Sequence, residues 1–168
     1  MRVRSVRRWS SSRSPASMAV SGVCSTAGAY GRGIPTDTPG EYRRHVPIFA
    51  CFDVETTALD PKGGRVIEVA VVRIHDDGTV VGEWSTLVNA GVADLGRTDI
   101  HGIRRTWLET SPAFATIAGD LAHELSGCVP VAHNAGFDVG FLRAEWDRAG
   151  LGVLDLVAVD TLRMARQL

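Results

Sequence analysis

Two carboxylates one residue apart end the first apolar run of the chain. The run is Pro47-Ile48-Phe49-Ala50-Cys51-Phe52, and Asp53-Val54-Glu55-Thr56-Thr57 follows directly. Side chains on a strand alternate faces, so Asp53 and Glu55 point the same way, roughly 7 Å apart. Like charges at the end of a buried strand repel each other and resist desolvation. A divalent cation held by oxygen ligands relieves both costs. Two solvated acids at a strand end are the alternative, and the local sequence leaves both open. A third acid, Asp138, follows His133-Asn134-Ala135-Gly136-Phe137. It falls in the first turn of an expected helix entered straight from a strand, and open α/β sheets gather ligands at that rim. A carboxylate there also complements a helix N-terminus with no ligand at all.

The elements that must position these acids are legible as alternations and turns. A first strand is expected over 47–54, then a turn at Asp60-Pro61-Lys62-Gly63-Gly64. Val66 to Ile74 is rich in β-branched residues and reads as a second strand. Asp77-Gly78 signals a hairpin into a third strand, about Val80 to Val88, so the three form an antiparallel meander. Thr98 to Ile103 looks like a short helical turn. Ser111-Pro112 is expected to open a helix, with Ser111 as N-cap. Phe114, Ile117, Ala118, Leu121 and Leu125 share one face of it, and Gly127 closes it. Val129 to Ala132 is a short strand whose proline suits an edge or a strand start. A helix from Phe137 to about Ala149, a strand from Leu154 to Val159 and a helix starting at Asp160 complete the order. Strands first, then alternating helices and strands, describe an α/β mixed sheet flanked by helices.

Composition narrows the classes. The chain has 168 residues, 45% of them apolar, enough for one domain with a core and a tail. No apolar run approaches the ~18 residues of a membrane span. Cys24, Cys51 and Cys128 are scattered and odd in number, which argues against a zinc site or disulfide framework and for a reducing, cytoplasmic setting. Residues 1–44 hold eight of the 18 Lys+Arg and two of the 19 Asp+Glu, leaving ten basic and 17 acidic residues, about −7, for 45–168. A body this acidic does not grip long duplex by phosphate neutralisation. It can still bind a nucleic-acid end through metal ions and a local basic patch. Residues 1–46 read as a disordered Arg/Ser/Gly-rich tail, or as upstream sequence before an alternative start at Met18. The arginines and serines resemble a transit peptide in composition, and a weak nucleic-acid tether is the sharper option.

Taken together, Asp53-Val54-Glu55-Thr56-Thr57, His133-Asn134-Ala135-Gly136-Phe137-Asp138 and Asp160-Thr161-Leu162 resemble the DnaQ-like, or DEDD, family of 3′–5′ exonucleases. Ile100-His101-Gly102-Ile103 resembles the loop between the family's first two motifs. The resemblance spans about 47–168, and within the family it is nearest to the proofreading epsilon subunits of bacterial DNA polymerase III. It implies a ribonuclease H-like fold and two-metal hydrolysis of phosphodiesters from a 3′ end. It implies that Asp53, Glu55 and Asp138 hold two Mg²⁺ or Mn²⁺ ions, a pair that activates water and stabilises the leaving oxygen from about 3.5–4 Å apart. Thr56 and Thr57 are then expected to position the terminal nucleotide. His101 either contacts that nucleotide or is a solvated loop residue. His133 and Asn134 are expected to bond backbone groups of the tight turn. Single-stranded DNA is the implied substrate, RNA an alternative, and a polymerase subunit the implied partner.

One departure matters. The family's third motif is a His five residues before an Asp on a C-terminal helix, the His being general base and the Asp a metal ligand. No histidine follows His133, and Asp147, Asp155 and Asp160 lack that relation. The expectation is a C-terminally truncated domain, a poor or inactive nuclease, since losing a general base costs about 10²–10⁴ in rate. A lost terminal helix would also uncover apolar sheet surface. A non-catalytic nucleic-acid-binding or polymerase-associated module on the same scaffold is the competing reading.

Overall fold

The computed structural model of the protein describes residues 47–168. The expectations for 1–46 lie outside the described residues. Three strands form the expected meander: β1 (Phe49–Thr56), β2 (Val66–Ile74) and β3 (Val80–Leu87). β1 and β2 run antiparallel, with Phe52 opposite Val71 and Glu55 opposite Glu68. The Asp-Gly turn behaves as its sequence asks. Gly78 takes φ +85, its N–H donates to the His75 carbonyl at 3.0 Å, and the His75 N–H donates to the Thr79 carbonyl at 2.9 Å. β4 (Val129–Ala132) pairs parallel with the other edge of β1, and β5 (Val159–Asp160) pairs parallel with β4. The five-stranded mixed sheet has the order β3-β2-β1-β4-β5, which puts the acid-bearing strand at its centre.

Five helices occur among the described residues: α1 (Thr98–His101), α2 (Arg105–Leu108), α3 (Phe114–Leu125), α4 (Ala135–Arg148) and α5 (Thr161–Ala165). Ala50, Phe52 and Val54 of β1 and Val69 and Val71 of β2 share one core with Phe114, Ile117, Ala118 and Leu121 of α3 and Val139, Phe141 and Leu142 of α4. Each large side chain buried there contributes about 1.5–3 kcal/mol of transfer free energy. Alternation then puts Asp53 and Glu55 on the opposite face. A second cluster, Ile67, Ala90, Leu95, Ile103 and Leu108, anchors the segment carrying α1 and α2.

Several boundaries differ from the sequence reading. β1 continues to Thr56 because β2 goes on pairing with it as far as Val66, so both acids lie inside the strand. α3 starts at Phe114 with Ala113 at its N-cap and no side-chain cap. Ser111 instead donates its hydroxyl to the Trp107 carbonyl at 2.7 Å. α4 starts two residues earlier than expected, at Ala135. The strand expected over 154–159 shrinks to Val159–Asp160. Val153 and Val157 are strongly exposed and only Leu156 is buried, so a short apolar run did not mean pairing. Pro130 does sit at a strand start, opposite Ala50 and ahead of the point where β5 joins at Val131. Among the described residues no helix is long and apolar enough to cross a membrane.

Candidate active site

The parallel pairing of β4 with β1 runs only from Phe49 to Cys51. Beyond Cys51 that edge of β1 has no strand neighbour, and the chain has already turned into α4. Asp138, in the first turn of α4, fills the place. Its Oδ1 accepts the Val54 N–H at 3.1 Å in a buried hydrogen bond. The carboxylate therefore meets the backbone of the one residue that separates Asp53 from Glu55. An acid 84 positions away in sequence is thereby brought to the backbone of β1, close enough to Asp53 for their charges to interact.

The electrostatics follow. Asp138 is 2% exposed. Its pKa is pushed up to about 7, first by burial, next by the like charge of Asp53 and more weakly by Asp160, against the pull of the Val54 N–H. Burial also raises the Asp53 carboxyl, opposed by His133 and by the Val54 backbone, although Asp53 keeps solvent access. Two acids that both resist ionisation at one strand edge form a place where a positive charge is favoured. Hard oxygen donors of this kind suit Mg²⁺ or Mn²⁺. Glu55 stands half-buried on the same face as Asp53, in register with Glu68 of β2. Among the described residues no three His, Cys, Asp or Glu side chains are already arranged to hold a metal ion. The chemistry of the acids fits a cation, but their side chains do not form a ready cage.

The remaining predicted residues have definite places. Thr56 donates its hydroxyl to the Ala58 carbonyl at 2.7 Å. Thr57 Oγ1 accepts the Arg65 N–H at 3.0 Å, and the Thr57 N–H donates to the Arg65 carbonyl at 2.9 Å. His101 is not a solvated loop residue. It is 4% exposed, its Nδ1 accepts the Ile103 N–H at 3.0 Å, and its Nε2 faces the Leu95 carbonyl at 2.9 Å. Those partners place the ring proton on Nε2 and use both nitrogens in holding the loop. His133 and Asn134 do serve the turn, though not through side-chain bonds to its backbone. His133 Nδ1 pairs with the Thr161 hydroxyl at 3.0 Å. Asn134 supplies a left-handed backbone, φ 67, and donates its N–H to Asp160 Oδ1 at 3.0 Å.

Asp160, a motif match and the expected start of the last helix, is the N-cap of α5. Its Oδ1 also accepts the Leu162 and Arg163 N–H groups, so one carboxylate caps α5 and ties down the turn that launches α4. Burial opposes its charge, but those amides outweigh burial and hold its pKa below the usual range. Arg65 and Glu145 escaped the sequence reading entirely. The available signal was spacing, since Glu145 lies seven residues after Asp138 and so falls on the same stripe of α4.

Known proteins share the family pattern and the fold of this chain. The family model described as exonuclease, of the RNase T type, matches residues 50–167. A DNA polymerase III PolC-type protein of Streptococcus suis is 32% identical over 121 residues, which is 71% of this chain and 8% of that protein. A DNA polymerase III subunit epsilon-like protein of Rhodobacter capsulatus is 43% identical over 100 residues, 58% of this chain and 14% of that protein. The chain thus spans a small part of these relatives' length. A product-bound exonuclease I shares the fold with a TM-score of 0.61 at 17% identity, over 72% of this chain and 31% of that one. E. coli exonuclease I in complex with a dT13 oligonucleotide has a TM-score of 0.59 at 18% identity, over 72% of this chain and 29% of that one.

Proposed function

Because the chain belongs to the DnaQ-like exonuclease family, and has that family's ribonuclease H-like fold, we propose that residues 47–168 form a metal-dependent 3′–5′ exonuclease domain acting on DNA ends. The observation that carries this reading is the placement of Asp138 on the Val54 N–H, between the two acids of β1. Asp53 and Asp138 would hold the divalent ions, with Glu55 joining from the next position on the same face. Two such ions supply an activated water and stabilisation of the leaving oxygen. The protein's own contribution is orientation. The Val54 N–H fixes Asp138, the β1–β2 register fixes Asp53 and Glu55, and Thr56-Thr57 continue from the acids toward the 3′-terminal nucleotide. Similarity to polymerase III proteins supports a proofreading or repair setting with a polymerase as partner, and the scattered cysteines support a cytoplasmic one.

Residues 1–168 contain no His five positions before an Asp downstream of His133. The family's third motif is not found within these residues, and residues 47–168 by themselves are expected to turn over slowly. The side chains of the described residues form no ready metal cage, and a second reading is a nucleic-acid-binding module on the nuclease scaffold. Calorimetric titration with Mn²⁺, followed by nucleotide release from single-stranded DNA, tests both. We expect Mn²⁺ uptake that Asp53→Ala and Asp138→Asn each weaken at least about tenfold, with release slower by about 10²–10⁴ than a complete site would give. Uptake with oligonucleotide binding but no release selects the binding module. No uptake by the unaltered chain ends the metal reading. Competition by RNA of the same sequence decides between DNA and RNA, since the discriminating group is the 2′-hydroxyl.

A further inference from the structure

We propose that Arg65, locked by Glu145, is a positioning residue for the nucleic-acid end: it sets Thr57, and through Thr57 the path of the chain leaving the two β1 acids. The inference rests on the reading of the site given above. Asp138 and Glu145 lie on one stripe of α4, two turns apart, and each takes a strand N–H. Asp138 accepts from Val54, and Glu145 Oε1 accepts from Val66 at 3.2 Å. One helix is thereby registered against both central strands by two carboxylates.

Glu145 is 1% exposed, and it also receives the Arg65 guanidinium in a fork: Nε to Oε1 at 2.6 Å and Nη2 to Oε2 at 3.0 Å. The third guanidinium nitrogen, Nη1, donates to the Ala90 carbonyl at 2.8 Å, on the loop leading to α1. The Arg65 backbone makes the reciprocal pair of bonds with Thr57. Arg148 closes the arrangement, with Nη1 on Glu145 Oε1 at 3.2 Å and Nη2 on the Pro61 and Lys62 carbonyls. The segment from Thr57 to Arg65 is held at both ends and in the middle. From the other side Gly96 presses on the same peptide, where an added Cβ would lie 1.9 Å from the Thr57 carbonyl oxygen.

A buried ion pair is weak evidence for stability, because desolvation offsets the attraction and apolar residues often serve as well. Apolar residues cannot make directed bonds to Val66 and Ala90 while their backbone holds Thr57. Only a planar fork with further donors spans these partners, so lysine is no substitute. The arrangement is suited to geometry, and the geometry it sets is that of the residue two positions after Glu55.

The test uses the full chain and Arg65→Lys, which keeps the charge and loses the fork. The readouts are residue-resolved amide hydrogen exchange, Mn²⁺ affinity by calorimetry, and affinity for a dT trinucleotide with a free 3′-hydroxyl in the presence of Mn²⁺. We expect the Thr57 amide to exchange at least about tenfold faster while Cys51 and Val71 keep their protection. Trinucleotide binding should weaken about tenfold, with Mn²⁺ affinity alone within about twofold. Glu145→Gln, which keeps the volume and one acceptor, should show the same pattern at smaller amplitude, and it carries the test if Arg65→Lys does not fold. Uniform loss of protection across β1 and β2, unchanged exchange at Thr57, or unchanged trinucleotide affinity overturns the proposal. An unaltered chain that takes up Mn²⁺ but binds no trinucleotide overturns its substrate half. One that takes up neither sinks the exonuclease reading, and the exchange pattern then decides the positioning of Thr57 by itself.

Discussion

Asp138 is the residue at which stability and chemistry pull in opposite directions. In the folded chain its pKa is about 7, above the ordinary carboxyl value near 4, chiefly because it is buried. Below about pH 4 the group is protonated whether the chain is folded or not. Between about 4 and 7 the unfolded chain releases the proton and the folded chain keeps it. Folding stability therefore falls as pH rises through this window, by up to about 1.4 kcal/mol per unit, and levels off above about 7. Urea unfolding of the metal-free chain should give higher stability at pH 5 than at pH 8, and Asp138→Asn should flatten most of that slope. Mn²⁺ should stabilise more at pH 8 than at pH 5, because a cation competes with the proton for the same carboxylate. A metal-free chain equally stable at both values would show that burial does not burden Asp138 as argued.

At the scale of elements, the site is made where one strand stops and its neighbour continues. β4 releases β1 after Cys51, and α4 is launched by a turn that Asn134 makes left-handed and Asp160 holds. The approach of the next loop is as restrictive. Gly96 has φ +70, and any Cβ there would run into the Thr57 carbonyl. An alanine would have to occupy the left-handed region, costing about 1 kcal/mol or more, and would displace backbone as well. Gly96→Ala should lower unfolding free energy by about 2 kcal/mol or more, read from denaturant titration. It should also weaken trinucleotide binding more than Mn²⁺ uptake, since it moves Thr57 and leaves the Asp138–Val54 contact alone. A substitution tolerated within about 0.5 kcal/mol would mean that the loop can withdraw freely.

For the molecule as a whole, charge sets the mode of binding. Residues 45–168 carry ten basic and 17 acidic residues, so a long strand gains little by lying along this surface. Capture of a 3′ end through one or two phosphates is the arrangement that fits. The slope of log affinity against log salt should then be no steeper than about −1.4, the value for two neutralised phosphates on a single strand. A trinucleotide and a dodecamer should bind almost equally in a fluorescence titration at fixed Mn²⁺. A slope several times steeper, lost when residues 1–44 are removed, would instead put the eight arginines of that stretch on the nucleic acid.

The sequence by itself determined the meander, the buried face of α3, the Asp-Gly hairpin, and the family to which Asp53, Glu55 and Asp138 point. These depend on local alternation, helical spacing and turn chemistry, which neighbouring residues specify. Tertiary structure alone decided how far pairing extends, which shortened the strand expected over 154–159 and shifted β1 by two residues, so that it runs through both acids. It decided that His101 is spent on its own loop, a choice made by the Leu95 carbonyl and the Ile103 N–H. It decided that Arg65 and Glu145, 80 positions apart, meet in one fork beneath Thr57. The reason is the same each time. Which donor meets which acceptor is settled by chain segments remote in sequence, and the backbone groups left unpaired at a strand edge have no signature in residue type.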